Sequence, residues 1–326
     1  MSALPKTTPV AEHASSVNSH VIQLSKLSFV QGIKPLVFDW ATIGCAMLVA
    51  NQFSSLWTYI IAAIVIASRQ HALLVLSHEG AHFRLAKSHA LNNFISDTFA
   101  AFPIFFCTTT YRAHHLKHHR YLNTMQDPDW ARKASLPEWT FPQTRMQLWK
   151  TMFKILITGW FKMILLFASL SGVFSKNTYT SKSALLLLGK KILFYSTVAV
   201  VTYSLHLGYE LFVYWIVPYL VVMPVIERIR SISEHFALSY KDDFNQTRDI
   251  LCSPLEAFLF GPHHIRYHLS HHLYPSVPQY NLPKLHHELL QTPEFAASAH
   301  QNDAYFFFGE KTLLEDLTKK SGSHHE

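Results

Sequence analysis

The chain has 326 residues, of which 49% are hydrophobic and only 15% are charged, whereas soluble domains contain about 25% charged residues. This balance favours a membrane protein. The net charge of +7 could attract nucleic acid, anionic lipid or an acidic protein, but no nucleic-acid-binding motif accompanies the basic residues, so we predict no nucleic-acid partner. The three cysteines match neither a CxxC site nor a disulfide framework, which leaves them as small apolar fillers.

Four apolar segments fall into two pairs along the chain. Residues 36–53 and 56–76 are joined by a short turn, and residues 192–207 and 211–226 are joined by a turn that contains Gly208. A helix needs about 20 apolar residues to cross hydrocarbon, so each pair predicts two antiparallel membrane spans. The sequence therefore predicts an all-α membrane protein with four transmembrane helices in two hairpins.

The distribution of basic residues predicts which side the remaining segments occupy. The turns at 51–55 and 205–210 contain no lysine or arginine, whereas the segments before, between and after the pairs contain nearly all of them. By the positive-inside rule, those segments are cytoplasmic. We therefore predict a cytoplasmic N-terminal segment at 1–35, one domain at 36–290 and a cytoplasmic C-terminal tail at 291–326.

Two stretches between the pairs, 91–106 and 153–174, are ambiguous. The second contains Lys154 and Lys162 within its apolar pattern. Such a pattern favours a helix that lies in the membrane interface rather than one that spans the membrane.

Three histidine clusters stand out among the 22 histidines of the chain: HEGAH at 78–82, HLKHH at 115–119 and HLSHH at 268–272. On a helix, spacings of three and four residues place side chains on one face, so each cluster can direct its imidazoles at one point. An even number of predicted spans separates every two clusters, so all three lie on the same side of the membrane. The candidate metal ligands are His78, His82, His115, His118, His119, His268, His271 and His272.

Other histidines are assigned by their positions. His114 precedes His115, so the second cluster can be read with either as its first ligand, and we favour His115. The single His235 follows the fourth span on the same side as the clusters, which makes it a further candidate. His263 and His264 are assigned to the surroundings of the third cluster or to a substrate-facing loop. The histidines assigned to structure or surface are His20, His71, His89, His206, His286 and His287, and His324 and His325 are attributed to the tail.

Acidic and aromatic residues near the clusters have two interpretations each. Glu79, Asp127, Asp129 and Glu234 could orient ligand histidines through their second ring nitrogens, or could serve as helix caps and salt-bridge partners. The aromatic residues could line an acyl tunnel or pack in the core; they are Phe102, Phe105, Phe106, Tyr111 and Trp130.

The three clusters resemble the histidine boxes of the membrane fatty acid desaturase and hydroxylase superfamily. The segments HHRYLNTMQDPDW, which starts at His118, and HHLYPSVPQYNLPKLH, which starts at His271, are similar to bacterial acyl-lipid desaturases. The resemblance implies four spans capped by a cytoplasmic domain with a di-iron centre, to which His235 contributes a ninth ligand, and a location in the bacterial inner membrane. It implies no catalytic residue separate from the metal ligands.

The same resemblance implies the reaction and its partners. The reaction is the O2-dependent introduction of a double bond into an acyl lipid, acyl-CoA or acyl-ACP. The electrons come from a ferredoxin or cytochrome-like donor, since the sequence contains no haem motif, flavin fingerprint or cysteine set for an iron–sulfur cluster.

Alternative functions remain open in the sequence. A hydroxylase or ketolase of the same superfamily, acting on a lipid or on a specialised metabolite such as an amino-acid-derived or polyketide-like chain, would use the same ligands. HEGAH also satisfies the HExxH motif of zinc metalloproteases, with Glu79 as the base, although this would leave both HxxHH clusters unused. A membrane metal transporter would place its polar ligands within the spans, whereas these clusters lie outside them.

Overall fold

Helices make up almost all the regular structure of the residues described, 19–170 and 182–318, in the computed structural model. The start of the predicted N-terminal segment, the end of the 153–174 stretch and the last residues of the tail, with His324 and His325, lie outside these ranges. In chain order the helices are α1 (Phe29–Phe53), α2 (Leu56–Ala81), α3 (His89–Ser96), α4 (Thr108–Arg120), α5 (Pro128–Ala131), α6 (Arg145–Leu170), α7 (Lys182–Ser204), α8 (Gly208–Leu211), α9 (Val217–Val221), α10 (Met223–His235), α11 (Pro254–Leu259), α12 (His268–Leu273), α13 (Leu282–Leu289), α14 (Pro293–Ser298) and α15 (Leu313–Thr318). A two-stranded parallel sheet pairs β1 (Asp249–Ile250) with β2 (Gln301–Asn302).

Four helical segments are long and apolar enough to cross a membrane. They are α1, α2, residues Ala184–Ser204 within α7, and the continuous helical segment Gly208–His235 that contains α8, α9 and α10. The prediction of four membrane helices in two hairpins is confirmed, and the chain is an integral membrane protein. The helices extend beyond the apolar segments seen in the sequence, because charged residues near their ends, such as Arg228 and Arg230, remain helical.

The turn between α1 and α2 is made by two serines. Ser54 ends α1 in the left-handed conformation, with a φ of 42°, and its N–H donates to the carbonyl of Ala50. Ser55 caps α2: its hydroxyl accepts from the N–H of Thr58, while the Thr58 hydroxyl accepts from the N–H of Ser55. This reciprocal cap satisfies backbone donors at the start of α2 and reverses the chain within two residues.

Helix α2 is the central span. Its most apolar window is 78% buried, whereas that of the third span is only 6% buried. The polar interruption in α2 is therefore enclosed by protein: Arg69 donates to Asp39 of α1 at 3.0 Å, and Gln70 donates to the carbonyl of Trp215 at 2.8 Å. Charged groups within a span are costly unless paired, and here the pair fastens α1 to α2.

Helix α6 contains most of the ambiguous 153–174 stretch. It packs against α9 and α10 and contributes Met163 to the same apolar cluster as Leu74 of α2. Its predicted position in the membrane interface stays a prediction.

The remaining helices gather at the end of the spans that lies away from both turns. Helices α12, α13 and α14 share an apolar cluster built around Leu269, Leu285 and Phe295. A second cluster joins Ile232 of α10 to Tyr305 and to α15. Because this cap is packed directly on the last turns of α10, its helices are fixed relative to the ends of the spans.

Candidate metal centre

The nine histidines predicted as ligands come together beneath the cap. His78 lies in the last turn of α2 and His82 ends that helix, while His235 is the last residue of α10. Helix α4 provides three histidines and α12 provides three more. Residues separated by up to 194 positions in the sequence thus form two adjoining groups, because both spans end at the same level under the cap.

Five histidines form the first group, and their ligand nitrogens all lie within 4.8 Å of one another: His78, His82, His115, His119 and His271. The Nε2 atom of His115 lies 2.9 Å from that of His82 and 2.9 Å from that of His119. The Nε2 atom of His271 lies 3.2 Å from that of His119.

Four histidines form the second group under the same distance limit: His118, His235, His268 and His272. The Nε2 atom of His268 lies 3.0 Å from those of His235 and His272. Each HxxHH cluster is divided between the two groups. The two histidines that are four residues apart belong to one group, and the histidine between them belongs to the other. Neighbouring positions on one helix face thereby place the two groups side by side.

The geometry of the ring nitrogens fits bound metal ions. An imidazole Nε2 has a single in-plane site, occupied by either one hydrogen or one lone pair. The Nε2 of His115 faces two other Nε2 atoms at 2.9 Å, so a hydrogen bond between rings can account for only one of these two contacts, whereas a cation shared by the lone pairs accounts for both. Two nitrogens about 2.1 Å from a metal and at right angles lie about 3 Å apart, which matches these distances.

Electrostatics keep the histidines outside the spans neutral, as metal ligands must be. Burial lowers the pKa of His82 to about 4, with Arg84 and Arg112 adding to the effect, and burial lowers the pKa of His119 to about 2. Burial also lowers, well below the usual range, the pKa values of His115, His268, His271 and His272. Uncharged imidazoles suit borderline metals such as iron and zinc.

One of the four acidic candidates forms a hydrogen bond with a clustered histidine through the ring nitrogen that faces away from the group. Asp127 is buried, and its Oδ2 lies 2.9 Å from Nδ1 of His118. The same carboxylate accepts from the backbone N–H groups of Asn123 and Asp129, and so caps α5. Helix α5 therefore holds the acceptor that can fix the His118 ring.

Asp129 lies within 4.8 Å of His118 and Asp127 but makes its closest contacts with other residues. Its Oδ1 is 2.7 Å from Arg132 and 3.3 Å from Nε2 of His114. His114 itself lies outside both groups, whereas its neighbour His115 lies inside the first.

Glu79 and Glu234 have different surroundings again. Glu79 accepts from the backbone N–H of Gln279 at 2.9 Å, and its other oxygen is 3.4 Å from Nδ1 of His78. Glu234 accepts from Nε of Arg230 at 2.7 Å, and its second oxygen is 3.7 Å from Nε2 of His268. Glu234 therefore faces the ligand nitrogen of His268 rather than its second nitrogen.

Two buried aspartates near the site were not among the sequence candidates. Asp249 of β1 accepts from the N–H and the hydroxyl of Ser270 in α12, and from Nδ1 of His286 at 2.7 Å. Asp39 lies 2.7 Å from Nε2 of His263 and ties the loop before the third cluster to α1. No sequence signal marks Asp249, because its partners are 21 and 37 residues away.

A cavity of about 280 Å³ lies beside the second group and reaches His115, His118, His235 and His268. Of the aromatic candidates, Phe106 and Tyr111 line it. The other three pack elsewhere: Phe102 and Phe105 against Tyr195, and Trp130 against Phe236.

Comparison with known proteins agrees with this arrangement. Residues 54–302 match the fatty acid desaturase family. The chain belongs to this family. A relative, dihydrorhizobitoxine desaturase from Bradyrhizobium elkanii, is 29% identical over 289 residues, which cover 85% of this chain and 81% of the relative.

Family membership decides the enzyme class. The protein is an oxidoreductase of the desaturase type, and the predictions of the family and of the enzyme class are confirmed. The two histidine groups are suited to the di-metal site of this family, which implies O2 and a lipid-like substrate. In the protease interpretation, HEGAH would bind one zinc with Glu79 as base, but here His78 and His82 share a five-histidine group.

Proposed function

We propose that this protein is a membrane di-iron desaturase that introduces a carbon–carbon double bond into a saturated chain. The observation that carries the proposal is the pair of adjoining histidine groups with a cavity against them. The proposed ligands of one iron are His78, His82, His115, His119 and His271, and those of the other are His118, His235, His268 and His272.

The reaction balances with an external reductant. One O2 is reduced to two waters by two electrons from a donor, two protons from solution and the two hydrogens lost from adjacent substrate carbons. When bound, the irons supply an oxidant strong enough for an unactivated C–H bond, which no side chain provides. The chain's own residues hold the metals, fix the ring orientations and exclude water from the buried groups.

The donor is proposed to be an acidic ferredoxin or cytochrome-like protein. Lys117 and Arg120 are exposed on α4, the helix that also carries His115, His118 and His119. Exposed basic residues attract an acidic partner and increase its association rate. Docking on α4 would bring the donor next to both histidine groups.

The substrate expected from the family is an acyl chain carried by lipid, CoA or acyl carrier protein. The name of the relative gives a different desaturation substrate for that protein, dihydrorhizobitoxine. Both possibilities require removal of two hydrogens from adjacent carbons, so the proposed chemistry is the same for either.

Metal analysis and product analysis together test the proposal. Protein purified from iron-supplied cells is expected to contain about two irons per chain. His118→Ala should lose one of them, whereas His114→Ala, which changes a neighbour outside both groups, should keep both. Metabolite profiling of cells with and without the gene should reveal a product lighter by two hydrogens. A product heavier by one oxygen would indicate hydroxylation, and one zinc without iron would overturn the di-iron proposal.

We also propose that the histidine groups face the cytoplasm of a bacterial cell. The basic residues of the segments around the groups support this orientation through the positive-inside rule. In a cysteine-free background, an impermeant thiol reagent added outside should label single cysteines at 51–55 but not at 110–135. The reverse labelling pattern would contradict the orientation.

A further inference from the structure

The cavity beside the second histidine group has an apolar part and a charged part. Leu74, Ile155, Met163 and Pro224 line the apolar part. Seven charged side chains from the described residues line the rest: Arg132, Lys133, Arg228 and Arg230 are basic, and Asp129, Glu227 and Glu234 are acidic. Several of these charges pair with one another: Asp129 lies 2.7 Å from Arg132, and Glu234 lies 2.7 Å from Arg230. An ionised group of a substrate can bind where such a side chain keeps a donor or acceptor without a partner, because burying that donor or acceptor unpaired costs free energy.

Arg230 is placed to bind a carboxylate close to the metal site. Its Nε donates to Glu234 at 2.7 Å, and the other oxygen of Glu234 lies 3.7 Å from Nε2 of His268. Only one carboxylate thus separates the guanidinium from the four-histidine group. The terminal nitrogens of Arg230 have no hydrogen-bond partner among residues 19–170 and 182–318, so they are available to a ligand in the cavity.

Glu227 provides the complementary charge. It lies three residues before Arg230 on α10, so the two side chains share one face of the helix. Its Oε1 is buried without a hydrogen-bond partner in the described part of the chain, and the nearest ring nitrogen is Nε2 of His71 at 3.7 Å. That oxygen faces His71 rather than the cavity. The other oxygen of Glu227 has no hydrogen-bond partner in the described part of the chain, and in the cavity wall it is a site for an ammonium group.

We infer that the substrate is a small zwitterion of the amino-acid type, with its carboxylate on Arg230, its ammonium group on Glu227 and a short aliphatic chain in the apolar part of the cavity. The cavity is small for a ligand site, whose usual range begins at about 300 Å³. The terminal nitrogens of Arg230 and the second oxygen of Glu227, which lack hydrogen-bond partners among the described residues, favour a ligand with both charges over one with a single charge. The oxidised carbons then lie a few bonds from the charged head group.

This inference rests on the proposed function for the reaction, but binding can be tested without turnover. The full-length, iron-loaded protein in nanodiscs is titrated calorimetrically with four probes: L-norleucine, hexanoate, hexylamine and palmitoyl-CoA. L-Norleucine should bind, and hexanoate and hexylamine should bind at least about tenfold more weakly because each lacks one charge-assisted interaction. Hexanoate binding as tightly as norleucine, or binding of palmitoyl-CoA alone, would overturn the inference.

Substitutions assign the two contacts. Glu227→Gln removes a charge but breaks no hydrogen bond found at Oε1, so it should keep the iron content and weaken norleucine binding by about tenfold while hexanoate binding stays unchanged. Arg230→Lys keeps the charge but changes the donor geometry, and should weaken both norleucine and hexanoate. Glu288→Gln, at a surface acid paired with His20, is the control and should change neither affinity.

The two proposals fail in different ways. Protein that contains about two irons but does not bind norleucine would refute the zwitterion inference and leave the desaturase proposal standing. Protein without iron would refute the desaturase proposal whatever it binds. If Glu227→Gln binds norleucine as tightly as the unaltered protein does, the ammonium site is wrong.

Discussion

Asp127→Asn is expected to weaken metal binding at the four-histidine group. For Nε2 of His118 to offer its lone pair, the proton must be on Nδ1, which then needs an acceptor. Asp127 Oδ2 is that acceptor at 2.9 Å, and it also accepts from the N–H of Asn123 at 3.0 Å. An asparagine side chain has one oxygen that accepts and one NH2 group that donates. In either orientation the NH2 group would face N–H donors, so the hydrogen bonds to one of the two carboxylate oxygens are lost.

The size of the effect follows from these hydrogen bonds. A hydrogen bond to a charged acceptor contributes about 1.5–3 kcal/mol when its partner is buried, and Asp127 is 1% exposed. Loss of a carboxylate that orients a ligand histidine typically lowers metal affinity by about 10- to 100-fold, equivalent to about 1.4–2.7 kcal/mol. The two estimates agree, so we expect a loss within this range.

Competition with a chelator measures this affinity in the solubilised protein. Asp127→Asn should release one of the two metals at a chelator concentration 10- to 100-fold lower, on the order expected for lost ligand orientation. Asp129→Asn is the matched control, because Asp129 lies within 4.8 Å of the same ring but pairs with His114 and Arg132, and among the described residues it forms no hydrogen bond with a clustered histidine. Equal metal retention by the two variants, or a greater loss in Asp129→Asn, would refute this reasoning.

Three further predictions concern the histidines and Glu79. His115→Ala should lose metal and activity, whereas His114→Ala should retain both, as metal analysis of the two purified variants will show; the opposite result would exchange their roles. Glu79→Gln should reduce desaturation less than His118→Ala, since Glu79 accepts a backbone N–H from Gln279 and is not a reacting base; product assays at matched expression will rank them. The metal-free protein should lose thermal stability as pH falls from about 6.5 toward 4. In the unfolded chain a histidine has a pKa of about 6.5 and binds a proton over this interval, whereas burial lowers the pKa of folded His82 to about 4 and that of folded His119 to about 2. Protons therefore favour the unfolded chain as the pH falls. A melting temperature that rises as the pH falls over this interval would contradict the predicted loss of stability.

The sequence by itself determined the features that depend on local spacing. Apolar length predicted four membrane helices, because the thickness of hydrocarbon sets the length of a span. The HxxHH spacings predicted that each cluster lies on one helix face, because residues three and four apart are neighbours on a helix. The number and order of the histidine clusters were enough to predict the family.

Tertiary structure alone decided how distant segments meet. The division of the histidines into five and four depends on how α4 and α12 cross the ends of α2 and α10, and no spacing along the chain contains that information. Asp127 and Asp129 are equivalent in the sequence and both lie within 4.8 Å of a ring nitrogen of His118, yet Asp127 is the one that forms a hydrogen bond with that ring, whereas Asp129 pairs with Arg132 and His114.

The charged cavity has the same origin. In the sequence, Glu227 and Arg230 are ordinary charged residues at the end of a membrane span. Their position in a cavity wall beside the four-histidine group results from α6 packing against α10, which leaves Glu227 partly exposed and Arg230 buried. Long-range packing therefore set the environment of these charges, and with it the substrate class that we infer.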